Sequence, residues 1–82
     1  MTESDRALVA RIEAGARELE TVAGTVFDRV AIVGRYPDTL VTVTFATPAG
    51  ERSRSYEVWK AFDATDVDGI AKMVYVDLME TF

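Results

Sequence analysis

Asp66-Val67-Asp68-Gly69 is the stretch of this 82-residue chain that comes nearest to a site for chemistry. It matches the centre of a calcium-binding loop, D-x-[DN]-x-[DN]-G, with Asp66 and Asp68 at the third and fifth positions. The first position would then be Ala64, and the twelfth, which requires a bidentate glutamate, would be Tyr75. Two essential oxygen ligands are missing. The acids read better as a helix N-terminus, where carboxylates cap backbone N–H groups and complement the helix dipole. Serine offers the next possibility, since Ser53 and Ser55 alternate with Arg52 and Arg54. Neither hydroxyl sits in a strand–turn–helix elbow, and both read as strand-surface serines. The chain holds no histidine and no cysteine, which removes the commonest general base, thiolate zinc sites and Cys- or His-assisted nucleophiles together. No glycine-rich phosphate-binding pattern occurs. The expectation is therefore a protein with no catalytic, cofactor-binding or metal-ligating residues, acting by binding rather than as an enzyme.

The elements that carry these residues follow from periodicity. Leu8, Ile12, Ala16, Leu19 and Ala23 recur at helical spacing among charged residues, predicting an amphipathic helix from about Ser4 to Ala23. Thr2 or Ser4 could cap its start, Glu13 and Arg17 form an i,i+4 pair, and Gly24 suits the residue after its end. Gly15 in the interior suggests close packing of this helix on a sheet. Thr25–Gly34 is rich in β-branched residues and is followed by a turn at Tyr36-Pro37-Asp38-Thr39. Leu40–Thr47 alternates, with Val41, Val43 and Phe45 on one face and Thr42 and Thr44 on the other. After Pro48-Ala49-Gly50, a third strand is expected over Arg52–Lys60, with Tyr56 and Val58 inward and Ser55, Glu57 and Trp59 outward. The last segment can be read two ways. Val74, Val76 and Leu78 alternate like a strand, but Val67, Ile70, Ala71, Val74 and Leu78 form a longer helical stripe, with Thr65 and Asp68 placed for a capping box. Helix is the favoured reading. The predicted fold is α+β: a helix, a three-stranded antiparallel meander and a C-terminal helix, both helices on one face of the sheet, within one domain spanning residues 1–82.

A chain this short buries only roughly 60% of its unfolded surface, so its core is small. A hydrophobic fraction of 49% with 28% charged residues is ordinary for a globular domain. Without cysteine, disulfides cannot supplement the core, which favours a reducing compartment. The first twenty residues are charged throughout and show no secretory h-region, and no uncharged run approaches the ~18 residues that span a membrane. Cytoplasm is the expected location, in a bacterium or in the host of a phage, because seven of the nine basic residues are arginine, as in GC-rich genomes.

Charge is unevenly distributed. The net value is −5; residues 1–62 hold nine acids against eight bases, whereas residues 63–82 hold Asp63, Asp66, Asp68, Asp77 and Glu80 against Lys72. Such a region repels nucleic acid and attracts basic protein surfaces. These five acids are the first candidate contact surface. Tyr75, Met79 and Phe82 are the second: they widen the apolar arc of the last helix beyond what one sheet contact requires, unless the two helices pack side by side and use the excess. Trp59 is the third candidate, as a contact residue on the outer sheet face, or else a residue folded over the end of the sheet.

The order α-β-β-β-α over nearly the whole chain is similar to that of the double-stranded-RNA-binding domain. That resemblance implies a basic N-terminus on the final helix holding phosphates and a first helix reaching the minor groove. Here the corresponding stretch, Asp63-Ala64-Thr65-Asp66-Val67-Asp68-Gly69, is acidic, which disfavours direct nucleic-acid binding. In size and charge the chain looks like small acidic phage-encoded inhibitors, including anti-CRISPR proteins. The leading expectation is thus a protein-binding module that docks carboxylates on the basic surface of a nucleic-acid-handling complex, as a nucleic-acid mimic. The alternative is a homodimer or other homo-oligomer, or an accessory subunit, joined through the apolar face of the last helix.

Overall fold

A computed structural model describes residues 3–20, 24–34, 38–61 and 66–81. Helix α1 (Glu3–Glu18) places Leu8, Ile12 and Ala16 on one buried face, as their spacing requires. Glu3 and Asp5 stand in its first turn; Ser4 lies within the helix rather than capping it, and Thr2 lies outside the described residues. The helix ends at Glu18, short of the expected Ala23. Tighter turn bonds follow, from Leu19 N–H to Ala16 O at 3.0 Å and from Glu20 N–H to Arg17 O at 3.3 Å. The hydroxyl of Thr25 donates to Leu19 O at 3.2 Å, so a side chain from beyond the turn satisfies a carbonyl that another helical turn would have used. Gly24, at φ 72°, lies in the approach to the sheet.

Strands β1 (Val26–Val33), β2 (Leu40–Thr47) and β3 (Gly50–Glu57) form the antiparallel meander, in sheet order β1-β2-β3. The turn expected at residues 36–39 falls partly outside the described residues. Between Phe27 and Arg29 the register shifts by one residue at Asp28. That bulge resolves a conflict of phase: strict alternation from Phe27 would turn Val30 and Ile32 outward, and the extra residue brings both back to the core side. Val41, Val43 and Phe45 of β2 are fully buried, and Phe45 meets Phe27 edge-to-face at 5.9 Å. Arg17, near the end of α1, lies over the Phe27 ring at 5.0 Å.

The third strand corrects the expectation of Arg52–Lys60. It starts at Gly50 and stops at Glu57, whose partner Leu40 is the first residue of β2. Among the described residues no strand pairing extends beyond that pair, and Val58–Ala61 coil into the short helix α2. Val58 remains fully buried. A Lys60–Asp38 ion pair ties α2 to the residues preceding β2.

Helix α3 (Val67–Thr81) confirms the helical reading of the last segment. Asp66 caps it: the Gly69 N–H donates to the Asp66 carboxylate, and Ile70 N–H bonds Asp66 O at 3.1 Å. Thr65, expected to cap, lies outside the described residues. Ile70, Val74 and Leu78 are buried at four-residue spacing. Together with α1 they close the core over the Val41, Val43 and Phe45 face of the sheet. Gly15 packs against α3 rather than the sheet; a Cβ there would stand 3.0 Å from Cδ2 of Tyr75.

Candidate interaction surfaces

The first expected surface, the C-terminal carboxylates, is divided by the fold into residues with different partners. Asp66 is the cap of α3. Asp68, in the first turn of α3, ion-pairs with Arg11 across the α1–α3 contact, both side chains well exposed. Asp77 lies where α3 passes β3. Its Oδ2 accepts from the Tyr56 hydroxyl at 2.6 Å and from Arg54 Nε at 2.6 Å, and Arg54 Nη2 reaches Oδ1 at 3.4 Å. Tyr56 and Arg54 are two apart on β3 and share the core side of the sheet, so one strand presents both donors to one carboxylate. The Tyr56 hydrogen bond, reinforced by Arg54, holds the Asp77 carboxyl below its ordinary value against the opposing effect of burial. Burial first, and the Asp77 carboxylate second, push the Tyr56 phenol well above its own. Glu80 is exposed, and among the described residues it makes no ion pair. Asp63 lies outside the described residues.

The second surface is the outward side of α3. Tyr75 is half-buried and belongs to the helix–helix contact at Gly15, so side-by-side packing does take up part of the apolar excess. Met79 remains 52% exposed, and Met73, at the other flank, 47% exposed. Val76 stands between them, partly exposed, with Lys72 and Glu80 exposed a turn to either side. Phe82 lies outside the described residues. Between α1 and α3 runs a shallow cavity of about 300 Å³, lined by Arg11, Gly15, Glu18, Asp68, Lys72 and Tyr75 among others.

Of the two places expected for Trp59, the outer sheet face is not the one it occupies. Because β3 ends at Glu57, Trp59 falls in α2 and packs, half-buried, against the core; it folds over the end of the sheet. The outer face carries hydroxyl pairs instead: Thr42 with Ser55 at 2.8 Å and Thr44 with Ser53 at 2.9 Å. At its rim Arg29 bridges Asp28 and Glu51, which raises the affinity of its guanidinium for the proton, chiefly through Glu51.

Sequence reasoning missed the Tyr56–Asp77–Arg54 cluster, which depends on α3 crossing β3; no local pattern signals it. Among the described residues no group of three or more Asp and Glu could hold a metal ion, and no helix is long and apolar enough to cross a membrane. Comparison with protein-family models, curated proteins and solved structures finds no match for the chain.

Proposed function

We propose that this chain is a non-enzymatic protein-binding module and that the outward face of α3 is its contact surface. The observation that carries the reading is the pair of half-exposed methionines, Met73 and Met79, flanking Val76 on a helix whose opposite face is completely buried. Methionine is enriched at protein interfaces because its flexible, polarisable side chain adapts to a partner, and apolar side chains kept in water gain free energy when covered. This supports the accessory-subunit or oligomer reading over the inhibitor reading. A carboxylate array that mimics nucleic acid needs free acids, whereas Asp66, Asp68 and Asp77 already have partners within the chain.

The test is capture of partners, including untagged copies of the chain, on the immobilised full-length protein at low and high salt. The expected result is capture that survives high salt and is lost in the Met73→Ser/Met79→Ser variant, since apolar contacts are not screened. Capture that disappears at high salt and in Asp68→Lys/Glu80→Lys, but not in the methionine variant, would return the function to carboxylate docking.

A further inference from the structure

We propose that the occupant of the α3 face is a second copy of this chain, docked antiparallel about a two-fold axis at Val76. The proposal rests on the reading of this face as a contact surface and names its partner. A two-fold interface is self-complementary: residues equally spaced before and after the axis residue meet across it. The exposed face of α3 has this symmetry in its sequence. Three residues either side of Val76 stand Met73 and Met79; four residues either side stand Lys72 and Glu80. At 3.6 residues per turn, Val76 points about 160° away from the mean direction of buried Ile70, Val74 and Leu78, so the axis lies at the outward pole of the helix.

The charges set the relative direction of the two copies. Lys72 and Glu80 are eight residues apart, about 12 Å along the helix, too far to pair within one chain. Among the described residues neither makes an ion pair. Asp68, one turn before Lys72, is turned to Arg11 instead. An antiparallel copy brings Glu80 of one chain level with Lys72 of the other, twice per dimer, while the methionines lie along the stems of these long side chains and the two Val76 side chains meet at the centre. A parallel copy would set Lys72 beside Lys72 and Glu80 beside Glu80, which is repulsive. The shared face is one side of a single helix, at the low end of interface sizes, so the dimer is expected to be weak.

Sedimentation equilibrium on the full chain from micromolar to millimolar concentration tests this. Wild type is expected to dimerise; Lys72→Glu and Glu80→Lys are each expected to weaken the dimer by about tenfold or more, since two contacts turn from attractive to repulsive. The double variant restores complementarity and should return to within about threefold of wild type. Both positions are exposed, and circular dichroism checks that the variants fold. Because the chain has no cysteine, Val76→Cys gives an independent readout: mild oxidation should produce a covalent dimer readily, and Ser53→Cys on β3 should not. A wild type that stays monomeric to millimolar concentration, or a dimer indifferent to both charge reversals, overturns the proposal. If in either case the methionine variant still abolishes capture of another protein, the contact surface stands and its occupant is different; if that variant changes nothing, the surface itself is wrong.

Discussion

The Tyr56–Asp77 hydrogen bond should be measurable as a coupling between β3 and α3. Tyr56 is buried to 6% exposure with its hydroxyl 2.6 Å from a carboxylate that also receives Arg54. Tyr56→Phe keeps the ring in the core and removes one charge-assisted bond, a loss of about 1–2 kcal/mol. Asp77→Ala removes the same bond, strands the phenol hydroxyl in a half-buried place and also releases Arg54. That guanidinium is nearly half exposed, so solvent screens its share and the Tyr56 bond dominates the loss. The expected cost of Asp77→Ala is therefore about 2–3 kcal/mol. Once Asp77 is gone, losing the hydroxyl should cost little more, so the double variant should fall short of the sum by about 1–1.5 kcal/mol. Urea unfolding at neutral pH, with equal slopes confirming that the same surface is exposed, gives the four free energies of the cycle. In thermal unfolding a 1 kcal/mol loss corresponds to about 4–8 °C for a chain this short. A coupling below about 0.3 kcal/mol, the level found for independent sites, would refute the claim that this bond joins the strand to the helix.

The same carboxylate predicts a pH dependence. Its folded value is depressed, so its contribution is present above the ordinary carboxylate pKa of about 3.9 and is lost as pH falls through the lower folded value. The stability gap between wild type and Asp77→Asn should therefore be widest near neutrality and narrow below about pH 4, as read by urea midpoints. Gly34, at φ 85°, would set a Cβ 2.5 Å from Asp38 O; Gly34→Ala should cost about 2–3 kcal/mol and lower the melting temperature accordingly. Gly15→Ala should gain about 0.5–1 kcal/mol of helix propensity in a Tyr75→Ala background, but clearly less in wild type, where the Tyr75 ring must give way. Asp66→Ala should cost about 1 kcal/mol through loss of the α3 cap, and Asp66→Ser should recover most of it.

Local spacing carried the elements whose faces are set by one neighbour. Leu8, Ile12 and Ala16 marked α1, and Val41, Val43 and Phe45 marked the core side of β2. Length separates the competing strand and helix patterns over residues 74–78, because the apolar stripe starts at Val67 and runs longer than a typical strand, and α3 spans Val67–Thr81. What escaped depended on distant residues. The end of β3 is fixed by the first residue of β2, and no property of Val58, Trp59 or Lys60 announces it. The bulge at Asp28 follows from fitting Phe27, Val30 and Ile32 to one core. The partners of the acids lie 57 residues away for Asp68 and 23 for the Asp77–Arg54 pair, beyond any motif. The symmetry of α3 about Val76 was legible throughout, but it gained meaning only once the helix had a buried side and an outward one.

Counting charge along the chain and locating it in space lead to different surfaces. Residues 63–82 carry four more acids than bases, while the preceding residues are nearly neutral. Folding brings two cations from that neutral part to the acidic part, Arg11 to Asp68 and Arg54 to Asp77, and gives Asp66 to the backbone. The net charge remains, but the local field over α3 is weaker than its sequence implies, since paired opposite charges cancel beyond a few ångströms. Within α3, Glu80 then makes no ion pair among the described residues, and it shares its face with Lys72, Met73, Val76 and Met79. One charge of each sign around an apolar centre steers weakly at long range and selects strongly at contact. Such a face is suited to another protein surface of the same kind, and poorly suited to a groove lined throughout with positive charge.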